Sequence, residues 1–237
     1  MEQKRERLPE RHEKKYWINR GDMLALKSRL DKVLKHDQHT DAEGNYFIRS
    51  LYFDDIYNNA YYDKVEGNAD RDKYRIRIYN LSDEVIFLER KRKAGNLIQK
   101  SACRITKDLA LALMDSNPTP LLKTDNVLLH EMYVQMRTAL LRPIVLVDYL
   151  REAYVHPIEN TRITFDKQLA TCPGSIDLFN DKLLTISPKS DDREILEIKY
   201  DRYLPDFIGK LMGGIPAEYT AISKYVLCRS FEPLGGQ

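Results

Sequence analysis

Charged and apolar side chains alternate strictly through several segments of this chain, and a period of two is typical of a β-strand. In the segment KYRIRI (73–78), Lys73, Arg75 and Arg77 occupy every second position between aromatic and aliphatic residues. Because successive side chains of a strand point to opposite faces, the three cations lie on one face. The pattern predicts a strand with one basic face and one apolar face.

Four further segments repeat this alternation, at 85–93, 97–106, 161–166 and 194–200. Turn-forming residues separate the first three predicted strands, so an antiparallel meander is the simplest arrangement. The predicted turns are Leu81-Ser82-Asp83 and Ala94-Gly95-Asn96. The charged faces of the four segments include Glu89 and Lys91, Lys100 and Arg104, Arg162 and Asp166, and Glu197 and Lys199.

Helical periods separate two groups of strands. We predict helices over 107–115 and 126–141, and an earlier helix whose apolar stripe is Leu26, Leu30 and Val33. Strands in two groups with amphipathic helices between them predict an α+β fold built on a large antiparallel sheet or barrel.

The chain organisation that follows is simple. Residues 1–10 are dominated by charge and are predicted to be a disordered lead-in. We expect one domain over 11–230 and a tail over 231–237, because no linker or internal repeat interrupts the pattern. A short strand is also predicted at 183–186.

Alternation alone leaves two interpretations of the charged faces. An ordinary half-exposed sheet would place its ions in water, and strand by strand this is the more common arrangement. In the alternative, a barrel turns its apolar faces outward under helices and lines its lumen with the charged faces. Arginine and lysine predominate on these faces, and the amphipathic helices need an apolar surface to cover. Both features favour the barrel.

Composition excludes several classes of protein. The 237 residues include 38 basic and 36 acidic side chains, so a net charge of +2 does not predict nucleic-acid binding. No apolar run approaches the roughly 20 residues of a membrane-spanning helix, and residues 1–9 lack the apolar segment of a signal peptide. Cys103, Cys172 and Cys228 suggest neither a disulfide framework nor a metal site, so we expect a cytoplasmic protein.

A lumen lined with cations requires an anionic ligand. Two like charges about 5 Å apart repel by roughly 3 kcal/mol at an effective dielectric constant of about 20. Phosphate oxygens suit guanidinium forks and lysine ammonium groups, so we expect a multivalent phosphate ligand. An isolated carboxylate among the cations is explained as a ligand of Mg²⁺ or Mn²⁺, or as a general base.

An ordered set of motifs then suggests a family. The motifs are RHEKKYWI (11–18), RSLYFD (49–54), KYRIRIY (73–79), FLERKRK (87–93), QKS (99–101), LRPIVLVDYLREAY (141–154), RITFD (162–166), LEIKY (196–200) and AISKY (221–225). Together they resemble the VTC (vacuolar transporter chaperone) catalytic domain of the triphosphate tunnel metalloenzyme, or CYTH-like, superfamily. The resemblance runs from about residue 11 to residue 229, and it implies an antiparallel β-barrel, the triphosphate tunnel, with helices packed on its outside.

The resemblance also implies roles for individual residues. It assigns phosphate binding to Lys15, Arg75, Arg77, Lys91, Lys100, Arg151, Arg162 and Lys224, with hydroxyl contacts from Ser223 and Tyr149. Glu197 in LEIK is the implied metal ligand, and Glu13 and Glu89 are additional acids that could hold the metal. We predict catalytic roles for Arg75, Arg77, Lys91 and Glu197, because strand alternation and motif agree on them.

The activity implied is that of an ATP-dependent polyphosphate polymerase. Such an enzyme transfers the γ-phosphoryl group of ATP to a growing polyphosphate chain, with Mn²⁺ or Mg²⁺ as cofactor. We therefore expect ATP, polyphosphate and pyrophosphate or tripolyphosphate as ligands, and no nucleic acid. This chain has no predicted membrane segment, which leaves open a membrane partner.

A departure from the superfamily pattern favours this branch over its hydrolytic relatives. Hydrolytic and cyclase members carry an ExExK signature on the first strand, where this chain has Arg11 in place of the first acid. A metal-dependent triphosphatase stays as one alternative. A non-catalytic module that binds polyphosphate or inositol phosphates is the other.

Overall fold

The computed structural model describes residues 12–95, 97–215 and 218–232. The predicted lead-in of residues 1–10 lies outside the described residues. The same is true of Arg11 and of residues 233–237 of the predicted tail.

The described residues form ten β-strands and six α-helices. The strands are β1 (His12–Ile18), β2 (Lys35–His36), β3 (Asn45–Asp54), β4 (Arg71–Tyr79), β5 (Ser82–Ala94), β6 (Leu97–Ile105), β7 (Arg142–His156), β8 (Thr161–Ala170), β9 (Glu194–Tyr200) and β10 (Glu218–Tyr219). The helices are α1 (Arg20–Leu30), α2 (Asn59–Val65), α3 (Lys107–Met114), α4 (Val127–Thr138), α5 (Asp206–Met212) and α6 (Lys224–Arg229). No helix in this part of the chain is long and apolar enough to cross a membrane.

The strands belong to one sheet. Its order is β10-β1-β9-β8-β7-β3-β4-β5-β6, and β2 pairs with β7 beside this path. The described pairings are antiparallel, which confirms the predicted α+β class. Within the described ranges no ladder joins β6 to β10, so the sheet is not strictly closed.

The chain divides into two compact units. The first unit consists of Met1–Tyr46, Arg151–Lys167 and Asp191–Ile222. The second unit consists of Phe47–Leu150, Gln168–Ser190 and Ser223–Gln237. Strands β3, β7 and β8 run through both units.

In the second unit, β4, β5 and β6 form the predicted meander. The first hairpin turn lies at Asn80-Leu81, where both residues have positive φ, and not at Leu81-Ser82-Asp83 as predicted. A two-residue turn with two positive φ angles matches the twist of the strands, and asparagine tolerates that conformation. The second turn includes Gly95, with φ of +58°.

The apolar faces of this meander pack under α3 and α4, as the alternation predicts. Tyr74, Ile76 and Leu88 are buried there against side chains of both helices, including Leu113 and Met132. The cations at alternate positions of β4 therefore lie on the face opposite this core.

In the first unit, β1, β9 and the first part of β8 present an apolar face to α1. Asn19 caps this helix, since its side-chain oxygen accepts a hydrogen bond from the Asp22 backbone nitrogen at 2.8 Å. Leu26 and Leu30 are buried as predicted, together with Met23. The prediction for Val33 is wrong, because α1 ends at Leu30 and Val33 is exposed.

The strand predicted at 183–186 is also wrong. Only Ile186 pairs, in an isolated bridge with Thr171. Leu183 packs against the core, but Leu184 and Ile186 are exposed, and no ladder forms along the segment.

The packing of α1 generates a stability prediction. Leu26 is 0% exposed, whereas Leu24 on the same helix is 54% exposed. We expect Leu26→Ala to lower the free energy of unfolding by about 2–5 kcal/mol, because it leaves a cavity. Leu24→Ala should change it by less than about 0.5 kcal/mol. Urea unfolding measures both, and equal effects would contradict this placement of α1.

Candidate functional site

Several charged side chains on the faces opposite the two cores are buried, whereas Lys91 and Lys100 are exposed. Arg77 is 6% exposed, Glu89 5% and Glu197 4%. On an ordinary half-exposed sheet these groups would lie in water, since ions are costly to desolvate without partners. Their burial argues against a sheet face that is simply exposed to solvent. The interaction partners of each charged group then indicate which ligands this face could bind.

In the second unit, Glu89 is surrounded by cations. Its carboxylate accepts a hydrogen bond from Arg75 Nε at 2.6 Å and forms ion pairs with Lys100 Nζ at 2.6 Å and Arg77 at 3.7 Å. Cross-strand pairing of Arg75 with Glu89 places them side by side on β4 and β5. We call these four residues the arginine cluster.

Hydroxyl groups on β3 and β7 accept hydrogen bonds from the two guanidinium groups. Arg75 donates to the Tyr52 hydroxyl at 2.7 Å. Arg77 donates to Ser50 Oγ and to the Tyr149 hydroxyl, both at 3.2 Å. Each arginine is thus fixed on two sides, so its remaining N–H groups have defined directions.

The pKa of Glu89 reports the same environment. Burial would raise the pKa of this carboxyl, but the positive charges of Arg75, Arg77 and Lys100 outweigh it and hold the pKa well below its usual range. Glu89 is therefore ionised and serves as the counter-ion of three cations. Its role as a metal ligand stays a prediction. A metal ion at Glu89 would compete with those three cations for the carboxylate.

Three lysines, one of them Lys100 of the arginine cluster, form a row across the meander. Lys91 lies directly opposite Lys73 on one side and Lys100 on the other. Like charges directly opposite one another destabilise a sheet, so this row favours an anion. The structure thus brings predicted residues Arg75, Arg77, Lys91 and Lys100 onto one face of three strands.

The predicted C-terminal residues lie at the start of α6. Ser223 caps this helix, accepting from the Val226 backbone nitrogen, and Lys73 Nζ lies 3.4 Å from its Oγ. Lys224 Nζ lies 4.9 Å from the centre of the Tyr149 ring, a cation–π contact. Tyr149 therefore links Lys224 to Arg77 within the second unit.

In the first unit, two lysines and two glutamates share one face of β1 and β9. Lys15 Nζ lies 2.9 Å from Glu13 and 3.7 Å from Glu197. Lys199 pairs with Glu197 and lies 3.8 Å from Glu13. We call these four residues the lysine–glutamate cluster. Burial disfavours the charged form of Lys15, but the charges of Glu197 and Glu13 outweigh it and raise its pKa above the usual value.

The two predicted arginines of this unit already have acidic partners. Arg151 forms a two-pronged pair with the buried Asp166, with N–O distances of 2.6 and 2.7 Å. Arg162 pairs with Asp37 at 2.9 Å and donates to the Tyr46 hydroxyl at 2.7 Å. These pairs fix both guanidinium groups in place on the strand face.

The charge balance of the two clusters differs. The arginine cluster has three cations and one carboxylate, a net charge of +2, whereas the lysine–glutamate cluster has two of each and is neutral. The first composition suits an anion directly. The second suits an anion that arrives with a cation.

Glu13 and Glu197 could bind a divalent metal ion only if a phosphate ligand supplied further oxygen atoms. The described part of the chain contains no group of three or more His, Cys, Asp or Glu side chains that could hold a metal. Glu13 and Glu197 supply two carboxylates, and Mg²⁺-type ions commonly take one or two carboxylates plus substrate phosphates and water. The residues present therefore fit a metal brought in with a phosphate chain.

Sequence reasoning assigned no role to several of these side chains. Alternation placed Asp166 and Lys199 on the charged faces, and the same signal on β3 could have found Tyr52. Asp37 lies in a loop and carries no such signal.

A cavity of about 660 Å³, lined by Arg90, Glu131 and neighbours at the start of α4, shares only Lys100 with the predicted residues.

The chain is similar to a known domain family and to solved structures. A family model described as the VTC domain matches residues 10–231. A solved structure of a putative adenylyl cyclase from Hippeastrum, described as having a dominant triphosphatase activity, is 15% identical with a TM-score of 0.57, covering 94% of this chain and 97% of that chain. A putative adenylate cyclase from Bacillus halodurans is 12% identical with a TM-score of 0.48, covering 86% of each chain. The search of curated proteins found no match. At such identity the Hippeastrum structure shows a shared fold alone.

The low pKa of Glu89 generates a prediction about pH. A carboxyl whose pKa is lowered by folding stabilises the protein above its unfolded pKa of about 4.3, and this contribution is lost as pH falls below that value. We expect Glu89→Gln to lower the free energy of unfolding at pH 7 by roughly 3 kcal/mol, because three cations lose their counter-ion. Between about pH 5 and 3 the variant should lose less stability than the wild type.

Urea unfolding across this pH range measures both effects. Glu84→Gln, at an exposed position of the same strand, is the matched control and should follow the wild type. If Glu89→Gln and the wild type lost stability in parallel from pH 5 to pH 3, the counter-ion role would be wrong.

Proposed function

Because the chain belongs to the VTC domain family, as its ordered motifs predict, we propose that it is an enzyme acting on phosphate chains. More specifically, we propose an ATP-dependent polyphosphate polymerase that transfers the γ-phosphoryl group of ATP to a polyphosphate acceptor. The observation that carries the proposal is the pair formed by the buried Arg77 and the partly buried Arg75, which lies in the matched region where cations outnumber carboxylates.

The arginine cluster supplies the phosphate-binding part of the proposal. Guanidinium forks match the geometry of phosphate oxygens, and these two are already oriented by Tyr52, Ser50 and Tyr149. Donors that are oriented in advance stabilise developing charge without reorganising during the reaction. Lys91 and Lys100 add positive charge along the same face.

The first unit supplies the proposed metal-binding part. Glu197, with Glu13, would hold Mn²⁺ or Mg²⁺ in company with phosphate oxygens, and Lys15, Arg151 and Arg162 would contact further phosphates. A bound divalent ion would neutralise part of the negative charge on the phosphate chain. Lys15 and Lys199 form ion pairs with these two glutamates in the structure.

The proposed mechanism needs no protein nucleophile. A terminal oxygen of the acceptor phosphate attacks the γ-phosphorus of ATP, and ADP leaves. Phosphoryl transfer chiefly requires alignment of the two reactants and stabilisation of charge on the transferred group. Arginine and lysine side chains on the charged faces supply both in this proposal.

A second candidate is a triphosphatase, in which water replaces the acceptor phosphate. The description of the Hippeastrum protein, which shares this fold, favours it. The same phosphate-binding side chains would serve either reaction, so the products distinguish them.

Incubation of the purified protein with ATP and Mn²⁺, with products resolved by chain length, tests the proposal. We expect long polyphosphate from the wild type. Lys91→Ala and Glu197→Gln should reduce its formation by roughly 100-fold or more, because the first removes a proposed phosphate contact and the second a proposed metal ligand. Lys123→Ala, at an exposed lysine of the second unit, is the control and should retain activity.

Other products would contradict the polymerase. Orthophosphate without long chains would favour the triphosphatase. Binding of tripolyphosphate without metal-dependent loss of ATP would favour a non-catalytic module.

A further inference from the structure

The buried hydroxyl of Thr164 lacks a hydrogen-bond partner. Thr164 is 3% exposed, and its Oγ1 has no partner among the residues that the structure describes. A buried polar group without a partner is unfavourable, because it gives up its hydrogen bonds to water. Such a group in a native structure calls for an explanation, and a ligand is one.

Two other unpartnered atoms, both guanidinium nitrogens, have a simpler explanation. Arg90 Nε and Arg229 Nε also lack partners, yet each guanidinium is bound through another nitrogen, to Glu131 and to Asn58 respectively. Thr164 has a single polar side-chain atom, so nothing else on the residue compensates.

The position of Thr164 places this hydroxyl at the lysine–glutamate cluster. Thr164 on β8 is the cross-strand partner of Glu197 on β9, and Glu197 is in turn the partner of Lys15 on β1. Directly opposite residues have Cβ atoms about 5 Å apart and share a face. The row Lys15, Glu197, Thr164 therefore presents an ammonium, a carboxylate and a hydroxyl side by side.

The polar neighbours of Thr164 on this face are engaged elsewhere. Arg162, two residues before Thr164, binds Asp37 and Tyr46. Asp166, two residues after Thr164, binds Arg151. Among the described residues, neither of these neighbours forms a hydrogen bond with the Thr164 hydroxyl.

We propose that Thr164 is a ligand-binding residue whose hydroxyl donates a hydrogen bond to an oxygen of the phosphate chain. The inference rests on the proposed function for the identity of the ligand. A threonine kept only for its β-branched shape would serve the strand equally well as valine. A ligand-binding hydroxyl has the opposite requirement, since the free protein tolerates its loss and the complex does not.

Calorimetric titration with tripolyphosphate, with EDTA and separately with Mn²⁺, tests this inference on the full chain. We expect Thr164→Val to weaken binding by about tenfold or more in both conditions, the scale for a hydrogen bond to a charged group. Thr164→Ser keeps the hydroxyl and should bind within about threefold of the wild type. The melting temperature of ligand-free Thr164→Val should equal or exceed that of the wild type.

Thr161 on the same strand provides the matched control. It is 2% exposed, but its hydroxyl donates to the Ile158 carbonyl at 2.8 Å. We expect Thr161→Val to lower the melting temperature and to leave tripolyphosphate affinity unchanged, the reverse of Thr164→Val.

The outcomes separate this inference from the proposed function. No binding by the wild type would overturn the proposed function and, with it, the ligand of Thr164. Wild-type binding with unchanged affinity in Thr164→Val would overturn the role of Thr164 alone. A loss seen only with Mn²⁺ would assign the hydroxyl to the metal's water and overturn a phosphate contact, and a lower melting temperature of the free variant would show a structural role.

Discussion

Ion pairs between carboxylates and crowded cations hold the charged strand faces of this structure together. Moving an ion out of water costs several kcal/mol, and a partner of opposite charge must offset it. Glu89 does this for Arg75, Arg77 and Lys100, while Glu13 and Glu197 do it for Lys15 and Lys199. Strands can therefore carry basic side chains on a buried face while their apolar faces pack under helices.

The same arrangement prepares the protein for an anion. Each glutamate holds its cations where a phosphate oxygen could replace or join it, so the donors do not need to be gathered when the ligand arrives. The arginine cluster keeps an excess of positive charge, and the neutral lysine–glutamate cluster would take a phosphate most readily together with a metal ion. This difference in charge gives the two carboxylate sets different tasks, with Glu89 as a counter-ion and Glu197 as the proposed metal ligand.

Strand faces could be predicted from the sequence because the period of two follows directly from strand geometry. The faces of Arg75 and Ile76, and the meander of β4, β5 and β6, were predicted on that basis. Register and long-range partners could not be, since alternation says nothing about which residues lie opposite. The ion pairs of Glu89 with Lys100 and of Asp37 with Arg162 depend on register and on long-range packing. The turn at Asn80-Leu81 and the exposure of Val33 depended on local backbone geometry and on where α1 ends.

The central claim is that the arginine cluster holds a phosphate chain, and thermal unfolding with added tripolyphosphate at constant ionic strength tests it most directly. A ligand that binds only the folded protein stabilises it by RT ln(1 + [L]/Kd), about 2.7 kcal/mol at 100 times Kd. We expect a melting temperature that rises with tripolyphosphate concentration for the wild type, and a much smaller rise when Arg75 and Arg77 are both replaced by alanine. No rise for the wild type at millimolar tripolyphosphate, or an equal rise in the double variant, would contradict it.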